Sequence, residues 1–299
     1  METIKIYHKP VLIKEVLEHL EPKPNKTYLD ATFGGGGHTC AILDSQPTCN
    51  VIAFDWDKKA IEKNYPQLKE KYGERLKVIW ANFAHIKKIF AKEKITKIDG
   101  ILADFGTSQF QIQNTAGLSF QTDSPLDMRM SQAHFYFKAS DIVNRFNEKE
   151  LADIIFKYGE EKFARKIAKA IVEQRKKEKF QTTKQLVELI ESLMPKYIHG
   201  KKRKTHPATK TFQALRIFVN KELDNIEIFL KDSIDFLEKD GNIACISFHS
   251  LEDRIVKHFF KENSDKLQIL TKKPIVPSEE EIKINPSSRS SKLRAAKKR

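Results

Sequence analysis

Tyr28-Leu-Asp-Ala-Thr-Phe-Gly-Gly-Gly-Gly37 is an apolar run that empties into a turn made only of glycine. Without Cβ atoms such a turn can adopt positive φ, and a ligand can lie directly against its backbone. His38 and Thr39 follow where a helix should begin. The unpaired N–H groups of that helix would point back into the turn. Val51-Ile-Ala-Phe-Asp55 is a second apolar run, closed by a carboxylate. It falls about 20 residues past the glycines, the spacing at which nucleotide-binding units hold ribose hydroxyls. The two runs together predict a site for a nucleoside-bearing small molecule. Thr39 stands where a Gly-x-Gly-x-x-Gly count would need its third glycine, which weakens the case for a nicotinamide cofactor.

Outward from this unit, short apolar strands are expected at Lys77–Trp80 and Ile98–Asp104. Helices lie between strands, as at Asp57–Tyr72, and one near Leu12–Leu20 precedes the first strand. The alternation predicts an α/β fold with a doubly wound, mostly parallel sheet. Asp104 ends the fourth strand, at the carboxyl edge where open α/β sheets bind ligands. A carboxylate ending a buried strand needs a partner. A ligand amine or hydroxyl would serve, and so would N–H groups of the turn that Gly106 permits. Phe105, Phe110 and Phe120 read either as core or as rings on which a flat base stacks.

After Asp104 the pattern changes. Residues 105 to about 135 have no clear period and are rich in Gln, Ser, Thr and Phe. From Ser140 to Tyr197 the chain reads as helical, with capping boxes at Asn147–Glu150 and Thr182–Gln185. One helix face carries Lys162, Arg165, Lys166 and Lys169, a solvated face or one turned to RNA. A long helical segment spans Ala208–Leu237, stopped at Asp240-Gly241, and a strand returns at Asn242–Phe248. We therefore expect a discontinuous sheet domain, residues 1–106 and 206–299, interrupted by a helical domain of residues 107–205. Thr271–Ser291 reads as extended.

The net charge of +14 favours a polyanionic partner, most simply nucleic acid. Basic residues cluster at His199–His206, and Pro286–Arg299 holds six of them with no acid. No apolar run approaches the ~20 residues of a membrane helix, and the first residues lack the order of a signal peptide, so a cytoplasmic protein with no membrane association is expected. Three cysteines make no disulfide framework, and the nine histidines show no metal-ligand spacing; no metal is expected. Arg129, Arg216 and Arg254 read as phosphate or carboxylate ligands, or as ion-pair partners of Asp127 and Asp253. A Ser247/His249/Asp253 triad is disfavoured, because no nucleophile elbow surrounds Ser247.

These motifs together resemble the bacterial 16S ribosomal RNA (cytosine-N4)-methyltransferase family. The similarity runs nearly end to end: His8-x-Pro-Val-Leu12, Tyr28–His38, Phe54-Asp-x-Asp57, Asp99–Gly106, Pro125-Leu-Asp-Met-Arg-Met130, Tyr158–Arg165, Phe212–Arg216, Ser247–Arg254 and Asn285-Pro286. The chain departs from the family pattern at Thr107-Ser-Gln-Phe-Gln111 and Ala116-Gly-Leu-Ser-Phe120. The resemblance implies a Rossmann-like class I methyltransferase fold with an inserted helical substrate-recognition domain. It implies S-adenosylmethionine as cofactor and, as target, a cytosine in the decoding region of 16S ribosomal RNA in the small subunit. It carries cofactor contacts onto Gly36, Gly37, His38, Asp55, Phe83, Asp104 and Gln111. From its place at the end of the fourth strand, Asp104 is also expected as the catalytic residue that orients the target amine, unless it serves only the cofactor. Two other classes stay open on the residues alone: a nicotinamide oxidoreductase, and a non-enzymatic RNA-binding protein with a vestigial pocket.

Overall fold

The computed structural model describes residues 9–107, 112, 115–133, 135–194, 197–198, 201–202 and 205–299. The chain divides into two units, one of residues 1–110 and 223–299, the other of residues 111–222.

The first unit is built on a seven-stranded sheet. Its strands are β1 (Thr27–Asp30), β2 (Asn50–Asp55), β3 (Leu76–Trp80), β4 (Ile98–Asp104), β5 (Leu237–Ser247), β6 (Leu267–Ile269) and β7 (Lys292–Lys298), in the order β3-β2-β1-β4-β5-β7-β6. β1 to β5 run parallel, and β7 lies antiparallel to both β5 and β6. The order reverses at β1, which pairs with β2 on one side and β4 on the other. That reversal opens a crevice beyond the carboxyl ends of the strands. Side chains alternate between two buried faces, as the strand period of two requires. Tyr28, Val51, Leu102 and Ala244 belong to one apolar cluster; Leu29, Phe54, Ile101 and Ile243 belong to the other. Helices α1 (Ile13–Leu20), α2 (Gly37–Ser45) and α3 (Lys58–Tyr72) cover the first face through Val16, Leu43 and Leu68. Helix α4 (Ile86–Glu93) covers the second through Ile86 and Phe90.

The second unit is helical. It contains α5 (Ala139–Arg145), α6 (Glu148–Gly159), α7 (Ala164–Gln174), α8 (Thr183–Leu193) and α9 (Thr209–Asn220), with a short ladder pairing 197–198 with 201–202. Both expected capping boxes form. Leu151, Ile155, Ile167, Leu186, Phe212 and Leu215 share one core. Because α9 gives its apolar stripe to that core, the unit ends at Glu222 and not at residue 205 as expected.

The helical stretch expected over Ala208–Leu237 is interrupted. Lys221 takes φ 50°, ending α9, and α10 (Glu222–Ser233) begins beside it and buries Ile226 and Phe229 under the sheet. Asp240-Gly241 is not a helix stop. It lies within β5, where Asp240 has φ 61° and the pairing with β4 shifts register between Ile98 and Gly100. Helix α11 (Ser250–Glu262) follows β5, and α12 (Glu279–Ile284) with a 3₁₀ turn at Pro286–Ser290 replaces the extended segment expected over 271–291. The basic tail is also not a tail. It is β7, in which Leu293, Ala295 and Ala296 are buried. Arg294 Nε donates to Asp253 Oδ1 at 2.7 Å, and Lys298 Nζ donates to the Leu237 carbonyl at 2.6 Å.

Candidate cofactor site

The crevice lies at the carboxyl ends of β1 to β4. Gly34 has φ 51° and Gly36 has φ 75°, the left-handed region that only glycine enters without strain. Gly36 is the N-cap of α2. A Cβ there would sit 2.4 Å from Leu68 Cδ1, and one on Gly37 would sit 2.7 Å from the Pro10 ring. A Cβ on Gly34 would meet nothing nearer than 4.0 Å. That face of the turn is open.

Asp55 closes β2 and holds the turn in place. The Gly34 N–H donates to its Oδ2 at 2.6 Å and the Asp57 N–H to its Oδ1 at 2.8 Å. Each carboxylate oxygen keeps a second lone pair for a ligand hydroxyl. Burial pushes this acid up to about 7, against the pull of the two N–H donors. Asp57 caps α3 by accepting from the Lys59 and Ala60 N–H groups. After β3, the Asn82 side chain accepts from the Ala84 N–H at 2.9 Å and sets a short turn that presents Phe83. The Phe83 ring stands 6.3 Å from Trp56 and 5.9 Å from Phe105, centroid to centroid. The three rings form an apolar wall from the end of β2 to the end of β4.

Asp104 closes β4. Its N–H donates to Thr32 Oγ1 at 2.8 Å, and its Oδ1 accepts from the Gly106 N–H at 3.0 Å. Oδ2 lies 3.7 Å from His38 Nδ1. His38 Nε2 is 2.8 Å from the Val11 carbonyl, which can only accept, so Nε2 carries a hydrogen. Nδ1 is thereby turned toward Asp104. Burial pushes Asp104 up to about 6, and His38 draws it back down. Behind them Asp30 is wholly buried, accepting from Thr39 Oγ1 at 2.7 Å and from the Thr32 N–H at 3.1 Å. Burial raises its pKa too, opposed first by His38.

A turn of glycines, three acids and an aromatic wall meet at a strand-order reversal, and comparison with known proteins gives the family. The MraW methylase family model matches residues 5–299. A protein of Sulfurihydrogenibium sp. (strain YO3AOP1) named Ribosomal RNA small subunit methyltransferase H is 48% identical over 296 residues, covering 98% of this chain and 99% of the relative. A protein of the same name from Rickettsia akari (strain Hartford) is 46% identical over 311 residues, covering 97% and 98%. The chain belongs to the MraW methylase family. It is an S-adenosylmethionine-dependent methyltransferase on a Rossmann-like sheet.

In this methylase the fold gathers Gly36, Gly37, His38, Asp55, Phe83 and Asp104 around one crevice, while Gln111 and Phe110 lie outside the described residues. The parts they play differ. Gly36 and Gly37 make room for Leu68 and Pro10. The His38 ring is only 6% exposed and is committed to Val11 and Asp104. Asp55 and Asp104 keep acceptor capacity. Asp30 and Thr32 were not foreseen, although a carboxylate two residues before an N–H it accepts from is a readable turn signal. The strap over Gly37 had no local signal: the Leu12 N–H donates to Glu281 Oε1 at 2.8 Å, across 269 residues.

Two of the three arginines expected to bind anions are occupied within the helical unit. Arg129 is bidentate to Asp127 at 2.7 and 2.8 Å, and Arg216 to Glu222 at 2.9 and 3.0 Å. Asp253 pairs with Arg294. Phe120 packs in the helical unit against His206 and Phe212. No Ser247/His249/Asp253 relay assembles, because Asp253 is held by Arg294 and His249 caps α11. Among the described residues no helix is long and apolar enough to cross a membrane.

Proposed function

We propose that this methylase transfers a methyl group to the exocyclic N4 amine of one cytosine in the decoding region of 16S ribosomal RNA, within the small subunit and in the cytoplasm. The observation that carries this reading is identity of 46–48% over at least 97% of the chain with relatives named for ribosomal RNA small-subunit methylation. The crevice fits the cofactor. The open side of Gly34 leaves space for a nucleoside, the spare lone pairs of Asp55 suit a ribose diol, and Phe83 offers a face to adenine.

When bound, S-adenosylmethionine supplies a methyl group activated by its sulfonium. The protein's own residues do the rest. Asp104 accepts a hydrogen bond from the cytosine amine and turns its nitrogen lone pair toward the methyl group. Such orientation lowers the barrier by several kcal/mol, up to ~7–11 in ideal cases. The target base leaves its stack to reach the crevice and is held against an aromatic face. The Asp104 carboxylate takes up the proton the amine releases, with His38 Nδ1 lying 3.7 Å from its Oδ2. The test is to incubate the enzyme with isotope-labelled cofactor and small subunits and to map the modified nucleotide. Label on a cytosine N4 in the decoding region is expected; label on another atom or on no RNA would refute the reading.

A further inference from the structure

Ser247-Phe-His-Ser-Leu-Glu-Asp-Arg254 leaves β5 at the edge of the sheet where the crevice opens. It stands beside the end of β4, because Asp104 pairs with Ile246 across the sheet and the Phe105 N–H donates to the Ile246 carbonyl at 3.0 Å. Within this motif Glu252 is a carboxylate only 1% exposed. Its Oε2 accepts from the Phe248 N–H at 2.7 Å and from the His249 N–H at 3.2 Å. The His249 ring returns the contact. Its Nδ1 accepts from the Glu252 N–H at 3.4 Å, so the neutral ring carries its hydrogen on Nε2, which lies 3.2 Å from Glu252 Oε1.

Capping α11 does not by itself call for a charge. At α8 a neutral side chain does the same work: Gln185 Oε1 accepts from the Gln181 and Thr182 N–H groups at 2.7 and 3.1 Å. A carboxylate taken out of water is costly where an amide suffices, so the charge of Glu252 needs a further use. Two routes lead from it to Asp104. One is steric. Glu252 holds the Phe248 N–H, and the Phe248 ring lies against Gly106, where a Cβ would overlap it. The Gly106 N–H is the group that fixes Asp104 Oδ1, at 3.0 Å. The other route is electrostatic. Three ionisable side chains act on Asp104: His38 of α2, Asp30 of β1 and Glu252 of α11. Burial raises the pKa of Asp104, His38 and the Gly106 N–H oppose the rise, and the charges of Asp30 and Glu252 add to it. A carboxylate kept basic is the better acceptor of an amine proton.

We propose that Glu252 is a positioning residue for methyl transfer, acting on Asp104 through the Phe248 ring seated on Gly106 and through its own buried charge; this rests on the reading above in which Asp104 meets the target amine. The test measures kcat, KM and their pH dependence with labelled cofactor and small subunits. It compares the wild type with Glu252→Gln, Phe248→Leu, Asp104→Ala and the double variant Glu252→Gln/Asp104→Ala. Glu252→Gln keeps an oxygen for both N–H groups, as Gln185 does, and should stay folded by circular dichroism. Its kcat should fall about tenfold with KM for cofactor and subunits unchanged. The acid limb of its pH profile should move down by roughly one unit, since a negative neighbour has gone. Phe248→Leu should lower kcat and leave that limb in place. Added to Asp104→Ala, the Glu252→Gln change should cost less than about twofold, because the group it acts on is already missing. Wild-type kcat with an unmoved acid limb in Glu252→Gln would overturn the proposal. So would an equal loss with and without Asp104, which would make Glu252 a prop of the fold alone. Should Glu252→Gln fail to fold, Phe248→Leu decides, and wild-type kcat in that variant is the overturning result. Full activity in Asp104→Ala would instead sink the reading of Asp104, and the route from Glu252 with it.

Discussion

At the level of single residues, burial raises the pKa of two carboxylates at the ends of β2 and β4. Asp55 is raised from an ordinary 3.8 to about 7. A raised folded-state pKa means the native form holds the proton that the unfolded chain has lost. From this group, stability is fully present below about pH 4 and is lost as pH rises through about 7. Thermal melting of the cofactor-free enzyme should show that decline. Cofactor binding has the opposite sign, because hydroxyl donors favour the ionised carboxylate. Affinity should fall about tenfold per unit as pH drops below 7, and Asp55→Asn should flatten that profile in calorimetry. Asp104 is held near 6 by the same cause. Asp104→Ala should lower methyl transfer by about 10²–10⁴-fold while the chain stays folded by circular dichroism; full activity would exclude any part for it.

The strand–turn–helix element at β1 and α2 is the most constrained piece of the molecule. Gly36→Ala would place a side chain at φ 75° and 2.4 Å from Leu68 Cδ1. The left-handed conformation alone costs about 1–2 kcal/mol, and each kcal/mol lowers Tm by about 2–4 °C in a unit of this size. Gly36→Ala should therefore melt several degrees lower and bind cofactor more weakly, both readable in one thermal-shift titration. This element was legible because its signals are local: glycines for positive φ, an apolar run for the strand, a carboxylate at a fixed interval. The helix break at Lys221 was not legible, since a lysine at φ 50° carries no sequence mark.

At the scale of the whole molecule, the two ends of the chain complete the sheet unit. β7 pairs with β5 from Asn242–Lys297 to Ser247–Lys292, and α12 ties the strap over Gly37 through Glu281 and Leu12. A chain truncated after Ser291 loses an interior strand, exposing the edge of β5 and the charge of Asp253. It should lose cooperative unfolding of the sheet unit and all cofactor binding by calorimetry. A shortened protein that still bound cofactor would mean β7 is dispensable. The segment read as a basic tail is a strand instead, for a physical reason. Lys292-Leu-Arg-Ala-Ala-Lys-Lys298 reads as charged, yet Asp253 neutralises Arg294, and backbone carbonyls take up the Lys298 ammonium.

The amino-acid sequence by itself determined the α/β alternation, the glycine turn, and the identity of the acids that end β2 and β4. Each is set by interactions between residues near in the chain: side-chain periodicity, backbone freedom and helix capping. Only the tertiary structure decided that Asp55 anchors Gly34, that Val11 aims His38 at Asp104, that α9 belongs with the helical unit, and that the last residues are a strand. Those outcomes depend on contacts between distant segments, where burial and pairing override what a lysine-rich or polar stretch would do alone.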